Sequence, residues 1–151
     1  MKIFKIVIIF AMIFLFPSFA FAQTTSKTKP APVVSNFVKS SPAYAEVLLR
    51  KTELEANLED LLVSYTDDFP KIKETRYELD LIGAALDKIL AVNASESSRL
   101  TLALGKLLVR KAQLETDLWS LKNKYGDDHV DVKRASRKVA VFEKAVNEIL
   151  P

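Results

Sequence analysis

The chain contains no cysteine, which excludes disulfides, thiolate metal sites and a lipid-modified cysteine. Histidine is almost absent as well. His129 stands alone, and no Ser/His/Asp or Cys/His constellation forms around it. Glycine occurs three times, at Gly83, Gly105 and Gly126, so there is no glycine-rich loop to cradle a phosphate. These absences point away from an enzyme, and no cofactor is expected. A basic excess is also missing. The formal charge of +3 includes Lys2 and Lys5; without them 20 basic residues face 19 acidic ones, too even a balance for nucleic-acid binding.

Long apolar runs are lacking too, apart from Ile6–Phe16. That run follows Lys2 and Lys5, stops at Pro17-Ser18 and is followed by Ala20-Phe21-Ala22, a small-x-small cleavage pattern. Residues 1–22 therefore read as a Sec-type signal peptide with Gln23 as the first mature residue. The rival reading is an uncleaved anchor, the only expected contact with a membrane. Ile6–Phe16 is short against the ~20 residues a spanning helix needs. Export without disulfides fits a bacterial envelope, periplasmic or secreted, better than a eukaryotic secretory route.

What the sequence does have is a repeat. Val47–Leu90 matches Leu107–Leu150 without a gap at a constant offset of 60. Arg50, Lys51, Leu54, Leu58, Tyr65, Asp67, Asp68 and Ile89 are among the residues that recur. In each copy apolar residues alternate steps of three and four, the pattern of a helical seam. A tight turn follows, then a returning seam. Folded about its Asp pair, the first copy sets Tyr65 against Ile72, Leu58 against Leu79 and Leu54 against Ile82. The second sets Tyr125 against Val132, Leu118 against Val139 and Leu114 against Phe142. The expected fold is all-α: two tandem antiparallel αα-hairpins, coiled-coil-like, packed as a four-helix bundle because one hairpin buries too little on its own. Lys51 and Lys111 interrupt the seams and are expected to cover Leu86 and Val146 with their stems.

The boundaries follow from local composition. Residues 23–40 read as a disordered leader rich in Thr, Ser, Pro and Lys. Ser41-Pro42 opens hairpin 1, residues 41–90. Residues 91–98 form a polar linker in which Asn93 and Glu96 resemble a capping box. Hairpin 2 covers residues 99–151. The alternative is a Z-shaped rod with one long central helix, because Leu79, Leu86, Asn93, Leu100 and Leu107 keep a seven-residue spacing through the junction. Charge divides the copies: Ala43–Leu90 holds 11 acidic and 6 basic residues, whereas Ser98–Leu150 holds 7 acidic and 11 basic.

Candidate functional residues lie in two groups. The hairpin turns carry Tyr65, Asp67, Asp68 and Pro70, and Tyr125, Gly126, Asp127 and Asp128. Gly126 suits a left-handed helix end, and an Asp suits the cap of the returning helix. Asp127-Asp128-His129 with Asp131 has metal-ligand residue types. However, Phe69 and Lys71 occupy the His129 and Asp131 positions of the first copy, so capping is the better reading and no metal is expected. The second group consists of Trp119, which replaces Glu59, and the cations Lys133, Arg134, Arg137 and Lys138 near Lys122 and Lys124. Trp119 either packs between the hairpins or meets an outside partner.

The segments 58–72 and 118–132 carry the frame Leu-x-x-Leu-x-x-x-Tyr-(Thr/Gly)-Asp-Asp, continuing as Phe69-Pro70-Lys71-Ile72 and His129-Val130-Asp131-Val132. This resembles the hairpin tip of periplasmic coiled coils in polysaccharide co-polymerase (chain-length determinant) proteins, which typically reads Tyr-Thr-Asp-x-His-Pro-x-Val. Here the His and Pro are split between His129 and Pro70. The likeness does not extend to that family's membrane helices, membrane-proximal α/β domain or kinase domain. It implies an envelope-located helical hairpin in a polysaccharide or export setting.

The expected role is an exported, non-enzymatic scaffold or adaptor that binds a protein partner or a second copy of itself. The alternatives are a small periplasmic chaperone, or a binding module for anionic polysaccharide at the basic second tip.

Overall fold

Residues 36–150 are described by a computed structural model, and they fold as helices joined by short connections. The elements are α1 (Asn36–Lys39), α2 (Pro42–Ser64), α3 (Pro70–Leu90), a 3-10 segment (Ala94–Arg99), α4 (Leu102–Lys124) and α5 (Val130–Ile149). Residues 1–22, read as a signal peptide, and residues 23–35 of the expected leader lie outside the described residues. Among the described residues, no helix is long and apolar enough to cross a membrane.

The outgoing helix of each hairpin begins where a side chain satisfies a free amide. Ser41 accepts a hydrogen bond from the Tyr44 amide, and Pro42 fills the first turn, where no N–H is needed. Thr101, at the matching position, accepts from the Leu104 amide. The duplication is literal in three dimensions: α2 and α4 are both 23 residues long and start and stop at matching positions.

The core contains Val47, Leu54, Ile82, Leu86 and Ile89 of the first copy with Leu104, Leu108, Ala112 and Val146 of the second. Burying each of these Val, Leu and Ile side chains contributes about 1.5–3 kcal/mol, which offsets the cost of ordering the chain. α2 packs on α3, α4 packs on α5, and α4 also packs extensively on both α2 and α3. α4 is thus the helix that joins the hairpins into a helical bundle.

Two contacts fix the directions. The N-terminal ends of α2 and α4 meet, where the Ala43 amide donates to the Leu100 carbonyl at 3.2 Å. Toward the other end, Ser120 of α4 donates to Glu74 of α3 at 2.8 Å. α2 and α4 therefore run parallel, and both hairpin tips project from the same end. Gly105 permits the close approach of α2 and α4. A Cβ there would lie 2.8 Å from the Glu46 Cβ and 3.0 Å from the Ala43 backbone. The matching residue of the first copy is Ala45.

Four expectations are corrected. Part of the leader is ordered: residues 36–39 form a helical turn, and Val38 is fully buried in the core. Ser41 holds that turn by donating to the Val38 carbonyl at 2.7 Å while capping α2. The junction is broken, as the linker reading expected, and the alternative of a single central helix does not form. The Asn93–Glu96 capping box does not form either; the Asn93 side chain makes no cap bond, and α4 starts only after Thr101. Gly126 does not adopt the left-handed conformation. Its counterpart Thr66 shows why: the turn uses a backbone open to any residue. Finally, no Asp caps a returning helix. Phe69 and His129 hold the cap positions, and the aspartates face cations instead.

Candidate interaction surface

The two tips are copies in detail. Tyr65 and Tyr125 end their helices with nearly the same dihedrals, φ −132° and ψ 156° against φ −133° and ψ 154°. Each ring stacks on the residue four places on. Tyr65 and Phe69 lie 4.0 Å apart, and Tyr125 and His129 lie 4.3 Å apart. His129 thereby does the work of a phenyl ring, while its Nδ1 accepts from the Asp131 amide at 3.3 Å. Lys73 meets Asp68 at 2.9 Å, and Lys133 meets Asp128 at 2.9 Å. The hydrogen bond from Lys73 and then its charge hold the Asp68 carboxyl below its ordinary value. Asp67 pairs with Arg76, Asp127 with Lys122 and Asp131 with Arg134. These carboxylates are turned to neighbouring cations and do not converge on one point. Pro70 sits at the first position of α3, as its fixed φ favours.

The sides of the two hairpins differ. On α3, Glu74, Tyr77 and Leu81 face the second hairpin. Tyr77 stacks on Trp119 with ring centroids 5.0 Å apart. Glu74 receives the Ser120 hydroxyl. Burial alone would raise the Glu74 pKa, but the hydrogen bonds from Ser120 and Lys71, with the charges of Lys71 and Lys124, bring it below the ordinary value. Leu81 lines a crevice with Leu108 and Ala112 of α4. Trp119 is therefore used between the hairpins and is only half exposed.

On α5 the matching residues are Arg134, Arg137 and Val141, and all three are exposed. Val141 is 66% exposed and Val130 is 61% exposed. With Lys133 and Lys138 they form one patch, a shallow basic groove with two valines. Lys133 and Arg134 are tethered to Asp128 and Asp131. Arg137 and Lys138 have no ion-pair partner among the described residues. Nor, among those residues, does any ion pair join the acidic hairpin to the basic one. The charges of Arg137 and Lys138 on α5 are thus left without a carboxylate among the described residues.

One pair escaped sequence reasoning. Arg50 of α2 donates to Glu78 of α3 at 2.9 and 2.7 Å, with the Glu78 side chain only 11% exposed. Burial would lower the Arg50 pKa, but the hydrogen bond and charge of Glu78, aided by Glu53, raise it. The repeat held the signal. Arg110 matches Arg50, yet Lys138 stands where Glu78 stands, so the second hairpin cannot form this bridge. Arg110 bonds Gln113 within its own helix instead.

Among the described residues, no group of three or more His, Asp or Glu side chains is placed to hold a metal ion. The crevices between helices are shallow and open. The geometry therefore offers extended helix faces rather than an enclosed site. No protein-family model, curated protein or solved structure matches the chain.

Proposed function

We propose that the chain is a non-catalytic helical scaffold of the bacterial envelope that works by docking another protein on the exposed face of α5. The single observation that carries this reading is the exposed patch of Arg134, Arg137, Lys138 and Val141, at positions whose counterparts on α3 are packed against α4 or bridged to α2. Exposed aliphatic side chains within a ring of cations suit a partner that is acidic and partly apolar. Arginine favours such contacts because its planar fork binds carboxylates in two places. The export pattern of residues 1–22 supports an envelope location, and the likeness of both tips to periplasmic co-polymerase hairpins supports the same setting.

The test is site-specific photocrosslinking in intact cells from a probe replacing Val141, with a probe replacing Asp80 on α3 as control. A discrete adduct from position 141 that disappears on Arg137→Glu supports the reading. Equal labelling from both positions, or none from 141, overturns it. The same cations favour one second reading, retention of an anionic polysaccharide. Salt-sensitive glycan binding lost in an Arg134→Glu, Lys138→Glu variant would mark that outcome.

A further inference from the structure

The inference rests on the docking role proposed for α5 and names the partner. We propose that the partner is a second copy of this chain, whose α2 docks on α5 as α4 docks on α3, so that molecules add head to tail.

The repeat supplies the geometry. The contacts of α4 with α3 described above have counterparts 60 positions earlier, on α2, and 60 positions later, on α5. Ser120 donating to Glu74 becomes Asp60 of the incoming copy facing Arg134. Trp119 stacked on Tyr77 becomes Glu59 facing Arg137. Leu108 beside Leu81 becomes Leu48 beside Val141. Two polar or aromatic contacts thus turn into two pairings of opposite charge, with Arg134 shared between the incoming Asp60 and its own Asp131, and the apolar contact stays apolar.

All six of these residues are exposed, as unfilled surfaces must be. Leu48 is 40% exposed where Leu108 is 5% exposed, and Val141 is 66% exposed. The charges also decide the symmetry. Two α5 faces brought together would oppose arginine to arginine, so a closed two-fold dimer through this face is disfavoured. An acidic α2 on a basic α5 leaves one free face of each kind and continues as an open row.

One difference sets the strength. Ala45 stands where Gly105 permits close approach, so the added methyl holds the incoming helix slightly further out than α4 lies on α2. The association is accordingly weaker than the internal docking and depends on its charges. It weakens as salt screens them.

The experiment is sedimentation velocity of the full mature chain across a concentration series at low and high salt. Wild-type protein is expected to form species that grow with concentration, with the half-assembly concentration rising roughly tenfold between about 0.05 M and 0.5 M salt. Arg134→Glu with Arg137→Glu is expected to be monomeric. Glu59→Arg with Asp60→Arg is expected to be monomeric too. Mixing those two variants restores assembly, because each now complements the other. Circular dichroism of each variant shows that the fold is kept.

Wild-type protein that stays monomeric at every concentration overturns the proposal, as does a mixture that fails to assemble when wild type does. A monomer that still gives a discrete adduct to another protein from position 141 leaves the docking role standing and removes only the second copy as partner.

Discussion

The two hairpins repeat one sequence pattern and differ in what covers their returning helices. α3 is pressed by α4 and bridged to α2; α5 touches α4 along its inner side and shows its outer side to solvent. The contrast is matched by a few substitutions between copies: Glu74 against Arg134, Tyr77 against Arg137, Glu78 against Lys138 and Leu81 against Val141. It teaches that a duplicated fold can be kept by a handful of seam residues while the remaining positions decide which face is closed.

Matched substitutions can break or sharpen that contrast, measured by denaturant unfolding at one low concentration so that association does not enter. The largest effect is expected in the core. Ile89 is fully buried and Ile149 only half-buried. Ile89→Ala should cost about 3–4 kcal/mol and Ile149→Ala less than half of that; equal costs would erase the asymmetry.

Next comes the crossing of α2 and α4. Gly105→Val should cost about 1–3 kcal/mol by forcing the helices apart, whereas Ala45→Val on the exposed side of α2 should stay within about 0.5 kcal/mol. The bridge is smaller. Glu78→Ala leaves Arg50 with only Glu53 and should cost about 1–2 kcal/mol, while Lys138→Ala should be neutral. A neutral Glu78→Ala would show that the bridge orients α3 without stabilising it.

The smallest effect is on pH. Folding lowers the Glu74 pKa below its ordinary 4.5, so the associated stability is present above that value and lost as pH falls through the folded pKa. Asp68 acts in the same direction. Glu74→Gln should flatten the acid limb of a stability profile, and an unchanged limb would assign the titration elsewhere. Arg134, at the matching position, has no such limb to lose.

Much of the fold was legible because it is written locally. The three-and-four spacing of Leu54, Leu58 and Leu61, its repetition in the second copy, and Ser41-Pro42 gave the helices, their pairing and their starts. The turn positions were legible, but their chemistry was not. Gly126 invited a left-handed reading that Thr66 argued against, and the aspartates looked like caps before the reach of Lys73 and Lys133 was known. The burial of Val38 and the Arg50–Glu78 bridge depend on chain segments meeting in space, which periodicity does not report. Of the surface residues, the cations Lys133, Arg134, Arg137 and Lys138 could be grouped by their spacing near the second tip, and all four are exposed. The place of Trp119 between the hairpins stayed open because only the packing of α4 against α3 decides it.

Trp119 is the one tryptophan in the chain, so its fluorescence reads the docking of the hairpins directly. Stacked on Tyr77, it should emit to the blue of the denatured chain and be quenched by acrylamide several-fold more slowly. Tyr77→Ala should shift the emission red while helical circular dichroism is retained. Emission from the folded chain that matches the denatured one, or that ignores Tyr77→Ala, would contradict a second hairpin held on the first through α4.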